Sequence, residues 1–336
     1  MNRRGFIQGT TMALLAGSMR SAFGNLASDV KIGMSTPASL ENNGVFVWIK
    51  TCAGHLQRSG FGTRLYPNST LGGDRERTYQ MQLGLLDLNS TGGDEIGRWS
   101  PTIAAMAHPF VIESYDHMSR FISETPFIEQ VSRELRPYGL ELVDSAYTAS
   151  MVGLFTRGTP VHTMDDLRQL RLRVLSEADF ALLRAWDVRG VQVAWEEVAQ
   201  GLQTGIIDAY LNPPNIALMF GHGSVLDYFT DLKMGPAGRL VVASTKWLDS
   251  LSPSERDEVD DAFAAARKAN REWTRTTQSI DRQNVERAGI EWIEMDPGDR
   301  REWVEASAAI PAGDWETPEA TARYLEWVEQ TRRHEP

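Results

Sequence analysis

The sequence predicts an α/β protein made of two units of alternating strands and helices, followed by one long helix. In two stretches, residues 30–89 and 170–210, short apolar runs alternate with amphipathic segments. Such alternation is typical of a parallel sheet with crossover helices. The long helix is predicted after Ser252, because Pro253 suits the first helical position. A chain of 336 residues is also long enough for two lobes.

The first unit opens with an apolar run at 30–34 that stops at a loop containing Pro37, which predicts a strand. The elements expected after it are a helix at 44–57, a strand at 63–67, a helix at 74–83 and a strand at 85–89. Cys52, the only cysteine, falls in the first of these amphipathic helices. We expect a buried structural thiol there rather than a nucleophile, and a single cysteine excludes an internal disulfide.

The second unit repeats this rhythm. Its strands are predicted at 170–174, 191–194 and 206–210, and its helices at 178–186 and 196–204. Strands at 140–143 and 152–156 lie between the units, near the point where the chain crosses from one lobe to the other.

The C-terminal part begins with a strand at 240–244. The long helix after Ser252 has an apolar face from Val259 to Trp273, and its pattern continues toward Val285. A strand at 290–295 and helical segments that contain Trp303, Trp315 and Trp327 complete the predicted elements.

Composition and motifs exclude several classes of function. The formal net charge of −11 argues against a nucleic-acid partner, because a phosphate backbone requires a basic surface. The sequence contains no G-x-S-x-G, phosphate-binding loop, dinucleotide fingerprint or H-E-x-x-H motif. Its six histidines are scattered, without the spacing of a helical metal site. We therefore expect no catalytic residue, no metal and no cofactor.

The N-terminus resembles a twin-arginine export signal. Arg3 and Arg4 are followed by a weakly apolar stretch at 10–19 and by small residues around Ala22 and Gly24. This predicts a signal over 1–28, cleavage near Gly24 to Ser28 and a periplasmic location. An amphipathic N-terminal tail is the alternative. The stretch is shorter than the ~20 apolar residues that cross a bilayer.

Two arginines in the strand at 170–174 are candidates for anion binding. Arg171 and Arg173 alternate with apolar residues, so both lie on one face of the strand, where each needs a partner. Arg173 is nearer the carboxyl end, where ligands of parallel sheets bind, and its planar fork suits a carboxylate or sulfonate. The alternative is a salt bridge to an acidic neighbour such as Asp208. The strand pattern alone leaves both open.

Two further side chains are expected at the same edge of the sheet. Asn212 follows the strand at 206–210, where its amide is able to donate to a ligand oxygen or to cap the proline turn. Trp195 ends the strand at 191–194, where it forms a wall of a ligand pocket or packs between helices.

Three segments containing these residues resemble a known family. Residues 65–76 (LYPNSTLGGDRE), 163–174 (TMDDLRQLRLRV) and 195–213 (WEEVAQGLQTGIIDAYLNP) are similar, in this order, to segments of the solute-binding proteins of tripartite ATP-independent periplasmic (TRAP) transporters. The resemblance extends from about Val30 to the long C-terminal helix. By this resemblance Arg173 holds the ligand carboxylate, Asn212 assists it and Trp195 lines the pocket.

The resemblance implies a two-lobed periplasmic-binding-protein (flytrap) fold with a long helix spanning both lobes. Lobe I is expected at 29–150 plus about 238–277, and lobe II at 151–237 plus about 278–336, with the ligand cleft between them. The implied partners are a small organic anion and the membrane permease subunits of the transporter, and we expect a monomer. A periplasmic enzyme or a sensor-linked protein that uses the same cleft remains an alternative.

Departures from the family pattern bear on the ligand. Gly153 stands where some sialic-acid binders carry a second arginine, and Met234 stands where a histidine is often found. Sialic acid is therefore not the expected ligand. A sugar acid, a hydroxy or keto acid, an aromatic carboxylate and a sulfonate all remain open.

The first lobe contributes weaker candidates. Gly93 follows the predicted third strand and lets backbone approach a ligand, while Asp94, Glu95 and Arg98 are candidates for binding its hydroxyls. Tyr147, together with the tryptophan at 195, favours a ligand that contains a ring.

Overall fold

The computed structural model describes residues 29–308, 310 and 317–333. The predicted export signal at 1–28 and Trp315 lie outside these residues. The strands are β1 (Val30–Met34), β2 (Thr63–Tyr66), β3 (Leu88–Thr91), β4 (Leu140–Met151), β5 (Gly153–Thr156), β6 (Arg171–Val174), β7 (Arg189–Gln192), β8 (Ala209–Asn212), β9 (Tyr228–Asp231), β10 (Pro236–Ser244) and β11 (Glu291–Glu294).

The α-helices alternate with these strands. They are α1 (Gly44–Arg58), α2 (Asp74–Leu83), α3 (Gly93–Ile96), α4 (Pro101–Ala105), α5 (Tyr115–Glu124), α6 (Phe127–Leu135), α7 (Met164–Arg168), α8 (Glu177–Ala185), α9 (Val198–Thr204), α10 (Asn215–Met219), α11 (Thr245–Leu248), α12 (Pro253–Gln278), α13 (Asp281–Arg287), α14 (Pro297–Ala308) and α15 (Pro318–Thr331). No helix among the described residues is long and apolar enough to cross a membrane.

The first lobe is built on a five-stranded sheet in the order β2-β1-β3-β10-β4. Strand β1 is parallel to β2 and β3, and β10 runs antiparallel to β3 and β4. Along β10, Leu240 and Val242 enter one apolar cluster while Val241 and Ala243 enter another. Both faces of the sheet are therefore covered, as the continuous apolar runs predict.

The second lobe is built on a six-stranded sheet in the order β11-β9-β5-β8-β6-β7. Strand β6 lies parallel to β7 and β8, and β5 runs antiparallel to β8 and β9. This arrangement places the carboxyl ends of β6, β7 and β8 at one edge. The predicted α/β fold of two lobes is confirmed.

Three of the crossings between the lobes run from β4 to β5, from β9 to β10, and from α12 to α13. Two of these crossings are bonded to each other, because Val152 N donates to Gly235 O (2.9 Å) and Met234 N donates to Val152 O (2.9 Å). The third is attached through the Ser150 hydroxyl, which donates to the carboxylate of Asp281. The three crossings thus form one bonded hinge.

The long helix begins as predicted, with Pro253 in its first turn and a reciprocal capping box between Ser252 and Glu255. It ends at Gln278, earlier than the pattern toward Val285 indicates, and α13 follows after a break of two residues. Helix α12 packs on α1 and β4 of the first lobe, and α13 packs on α10 and β11 of the second.

The last helix belongs to the first lobe, which corrects the expected boundary of 278–336 for the second. Tyr324, Trp327 and Val328 of α15 enter the apolar cluster of the first sheet, and α15 contacts α4 and α5. Their spacing of three and four residues predicts a buried helix face, but it does not say which lobe covers that face.

Cys52 lies fully buried on the inner face of α1. Burial raises the pKa of its thiol to about 12, so the thiolate is not available near neutral pH. The expectation of a buried structural thiol is confirmed.

Candidate functional site

The two arginines of β6 have different surroundings. Arg171 is paired with Asp208, whose carboxylate accepts from Arg171 Nε (2.8 Å) and Nη2 (2.8 Å). Arg173 has no ion pair within the described residues. Its Nε donates to Val193 O (3.0 Å), and its Nη2 is buried without a partner. The salt bridge to Asp208 left open by the strand pattern is therefore made by Arg171.

The guanidinium of Arg173 lies over an aromatic cluster. Its central carbon is 5.3 Å from the ring centroid of Trp195, which meets Phe220 and Tyr210 edge to face at 4.9 Å and 5.8 Å. His222 completes the cluster, and its Nδ1 lies 3.2 Å from the Tyr210 hydroxyl. Burial lowers the pKa of Arg173, and the charges of nearby acidic groups oppose this shift.

Asn212 is the last residue of β8, where it pairs with Gly153 of β5. The strand therefore lies slightly later than the predicted 206–210, because Asp208 is occupied by Arg171 ahead of the strand. No side-chain hydrogen bond to Asn212 occurs among residues 29–308, 310 and 317–333. Strands β6 and β8 are parallel neighbours, so the free amide and Arg173 lie near the same edge.

Asn215, which sequence reasoning missed, links this edge to the first lobe. It follows Asn212 after two prolines, and its Nδ2 donates to Asn42 O (2.8 Å) and Thr148 O (3.2 Å). The side chain is 2 % exposed, and its Oδ1 has no partner in the described part of the chain. The two prolines were a turn signal, but its contact with the other lobe was not visible in the sequence.

The first-lobe residues cluster where β3 ends. Gly92 N donates to Asp74 Oδ2 (3.0 Å), and a Cβ built at Gly92 would lie 3.4 Å from the same oxygen and against the Asp94 carboxylate. At Gly93 a Cβ would meet only ordinary contact, with Ile103. The close contacts at this turn are therefore made by Gly92 with carboxylates of its own lobe, and the approach of a ligand to Gly93 stays a prediction.

Asp94 lies near enough to the second lobe for charges of that lobe to act on it. Its side chain is solvent-accessible but largely surrounded by protein, and this desolvation raises the pKa of its carboxyl group. The charges of Arg239 in its own lobe and Asp179 in the other lobe act on it. Arg173 in turn feels the charge of Asp94 across the cleft.

Glu95 and Arg98 are bonded to each other. Glu95 is 6 % exposed and accepts from Arg98 Nη1 (3.3 Å), while its Oε1 is buried without a partner in the described residues. The Arg98 guanidinium lies 5.6 Å from the Trp99 ring centroid. Arg98 is therefore engaged within its own helix turn.

Tyr147 does not lie at the cleft, which corrects its expected role in binding the ligand. It is 1 % exposed, its hydroxyl lies 3.0 Å from Ser119 Oγ, and its ring packs against Tyr115 and under the guanidinium of Arg271. Residues of β4 alternate between two covered faces, so an aromatic residue there is core.

A charged network that sequence reasoning missed lies beside Gly92. Asp74 accepts hydrogen bonds from Arg77 and Arg239, and Arg77 Nε donates to Asn89 Oδ1 (2.9 Å). Arg77 is fully buried. Its position four residues before the buried Met81 on α2 was the only signal, because an arginine then replaces an apolar residue on the inner face.

A cavity near the hinge is mainly apolar. Met106, Phe110, Met234 and Tyr324 are among its lining residues, and none of the described lining side chains is Asp, Glu, Lys or Arg. This cavity has no arginine or lysine among its described lining residues, whereas Arg173 presents a guanidinium that is unpaired in the described part of the chain, so the candidate site is the cleft at Arg173. The described residues also contain no group of three or more potential metal ligands.

The chain is similar to known proteins over most of its length. The model of the family described as bacterial extracellular solute-binding protein, family 7, matches residues 60–313. The sialic acid-binding periplasmic protein of Vibrio cholerae is 24% identical over 273 residues, which cover 80% of this chain and 83% of that protein.

Solved structures of similar fold cover nearly the whole chain. A sugar acid binding protein of Advenella mimigardefordensis in complex with galactonate has a TM-score of 0.82 at 16% identity, covering 90% of this chain and 98% of that one. A TRAP periplasmic solute binding protein of Shewanella oneidensis with bound succinate has a TM-score of 0.81 at 18% identity, covering 91% and 99%.

Proposed function

Because the chain belongs to family 7 of the bacterial extracellular solute-binding proteins, we propose that it captures a small organic anion in the cleft between its lobes. We further propose that it is a periplasmic receptor that delivers this ligand to the permease subunits of a TRAP-type transporter. The signal at 1–28 would direct its export, with cleavage near Gly24 to Ser28, and the receptor would act as a monomer.

The unpaired guanidinium of Arg173 is the observation that carries this proposal. A half-buried charge without a counter-ion is costly, and its Nη2 has no acceptor in the described residues. A ligand carboxylate supplies both the charge and the acceptor through a bidentate bond. Asn212 would donate a hydrogen bond to the ligand from its free amide, and Trp195 would form one wall of the ligand pocket.

Ligand delivery is favoured over catalysis by what surrounds Arg173. Its direct contacts are the Val193 carbonyl and an aromatic cluster, and the carboxylates of nearby acidic residues act on it only through their charges. The described residues hold no group of three or more potential metal ligands there. The histidine of the cluster, His222, is buried against Tyr210, and burial lowers its pKa. A bound acid would therefore be released unchanged.

The ligand we propose is a small carboxylate such as a sugar acid. Relatives and neighbours are described with sialic acid, galactonate and succinate. Sialic acid is the least suitable of these, because a Cβ at Gly153 would lie 2.6 Å from Thr230 O and against Phe229. The second arginine of some sialic-acid binders thus has no room at this position.

A thermal-shift screen of organic acids tests the proposal. A ligand at about 100 times its dissociation constant adds about 2.7 kcal/mol to the free energy of unfolding, which raises the melting temperature by several degrees. We expect at least one carboxylate to give such a shift, and the shift to disappear in Arg173→Ala. If no acid stabilises the protein, or if the shift survives the substitution, the proposal is wrong.

Two observations separate the alternatives. If chromatography shows that the purified protein converts the stabilising acid into a product, the protein is an enzyme. Genes for large and small membrane subunits beside the gene for this chain would favour a transporter, and a sensor gene there would favour a signalling role.

A further inference from the structure

The first-lobe wall of the cleft carries charges that cancel one another. Asp74 accepts hydrogen bonds from Arg77 and Arg239, and Gly92 N also donates to it (3.0 Å). Asp94 lies beside this network and feels the charge of Arg239 most strongly among its charged neighbours. Two guanidinium groups and two carboxylates therefore make a neutral wall.

Asp94 is the member of this set that is free to bind something else. Its side chain is exposed, whereas Asp74 is held by both arginines. In the described residues, no ion pair or hydrogen bond from another side chain reaches Asp94. Beside it, the Oε1 of the buried Glu95 also has no described partner. The exposed carboxylate of Asp94 thus offers oxygen acceptors at α3, and the free oxygen of Glu95 is buried behind it.

The opposite wall provides one unpaired positive charge. Arg173 lies there with Asp179 and Glu196 close enough for their charges to act on it. A single ligand carboxylate would satisfy the guanidinium. Arg239 is committed to Asp74, so it is not free to hold a second carboxylate beside Asp94. Arg75, whose charge acts on Glu95, is exposed at the first turn of α2.

On the premise of the proposed function, we infer that Asp94 is a specificity-determining residue. It selects ligands whose far end carries a hydrogen-bond donor, and it rejects a second carboxylate at that end. A hydrogen-bond donor on the ligand would bond to the free carboxylate oxygens of Asp94. A second ligand carboxylate would instead bring two negative charges together in a poorly solvated cleft. Hydroxyl and ammonium groups share this donor chemistry.

Matched ligands test the inference by calorimetry. One series is butyrate, 4-hydroxybutyrate, 4-aminobutyrate and succinate, and the other is hexanoate, galactonate and galactarate. The tightest acid of the thermal-shift screen is also compared with its analogue that carries a second carboxylate. We expect the donor-ended monocarboxylate to bind at least about tenfold more tightly than its diacid. The hydroxyl and amino compounds distinguish the two kinds of donor.

Asp94→Asn is the decisive variant, because it removes the charge and keeps the size. We expect the ratio of diacid to monoacid dissociation constants to fall by at least about fivefold in Asp94→Asn. Asp257 is exposed on α12, and among the described residues it makes no contact with Asp94 or Arg173. Asp257→Asn makes the same change in net charge. This control should leave the ratio unchanged.

The outcomes separate the inference from its premise. The role of Asp94 is overturned if a diacid is the tightest ligand that depends on Arg173, or if Asp94→Asn does not change the ratio of dissociation constants. In either case the proposed receptor function still stands. Absence of any Arg173-dependent binding overturns the proposed function itself. Retained folding of each variant is checked by its melting temperature without ligand.

Discussion

The two arginines of β6 provide a matched test of the anion site. They are two residues apart on one face of a strand, yet Arg171 is paired with Asp208 and Arg173 is not paired within the described residues. Replacing either by alanine removes the same chemical group from the same strand. Only Arg173→Ala should remove the group that holds the ligand.

The structure sets the size of the expected difference. Deleting one partner of a desolvated, hydrogen-bonded charge pair costs ~3–5 kcal/mol, so Arg173→Ala should weaken binding by roughly two to four decades. The Arg171–Asp208 pair has side chains that are 42% and 23% exposed. Because exposed pairs contribute about 0–1 kcal/mol, Arg171→Ala should lower stability slightly and change the affinity by less than about threefold.

Isothermal titration calorimetry with the acid identified by thermal shift measures both effects. Arg173→Lys is the third variant, and we expect it to bind poorly because a single ammonium cannot reproduce the planar fork over Trp195. Unfolding in urea shows whether each variant is folded before titration.

Two results would refute this reasoning. If Arg173→Ala binds the ligand within a few-fold of the parent protein, the guanidinium does not hold the anion. If Arg171→Ala loses as much affinity as Arg173→Ala, the effect comes from the strand and not from the unpaired charge.

Three further predictions concern the hinge and the second sheet. Burial raises the pKa of Asp281 from 3.8 to about 6, so the folded state binds the proton more tightly than the unfolded state. The free energy of unfolding should then fall by about 3 kcal/mol as the pH rises through this interval, and urea titrations of Asp281→Asn should lack this slope. Gly153→Ala should lower the free energy of unfolding by about 1–3 kcal/mol through overpacking, while Gly235→Ala, which has open space, should be nearly neutral in the same urea assay. Asn215→Ala should weaken ligand binding by about tenfold and enlarge the radius of gyration in small-angle scattering, because it removes two bonds between the lobes; an unchanged radius and affinity would contradict a role in closure.

Much of the fold could be predicted because its signals are local. The strand at 30–34 and the helix at 74–83 have the observed bounds, since apolar runs, prolines and caps mark them directly. The end of α12 was placed too late because an amphipathic pattern continues through the break at Ser279 into α13. The prediction of the lobe to which α15 belongs was wrong, because an apolar helix face does not indicate which element covers it.

The candidate site was predictable in part, for a related reason. The carboxyl end of β6 follows from the order of elements, but Arg171 and Arg173 are equivalent in the strand pattern. Only the position of Asp208 at the start of β8 decides which of them is paired. Tyr147 was misplaced because strand alternation cannot distinguish a covered face from a face at the cleft.

The contacts of Asn215 connect recognition to closure. Asn212 ends β8, the chain turns at two prolines, and the Asn215 amide then binds carbonyl oxygens of the first-lobe loop and of β4. A ligand that fixes Asn212 therefore restrains a segment already bonded to the other lobe. Proline limits the backbone freedom of this turn, so a restraint on Asn212 also restricts the position of Asn215. Under the proposed function, closure over the ligand would exclude water from Arg173 and thereby strengthen its bond to the anion. Affinity in this protein should accordingly depend on the contacts of Asn215 between the lobes as well as on the arginine.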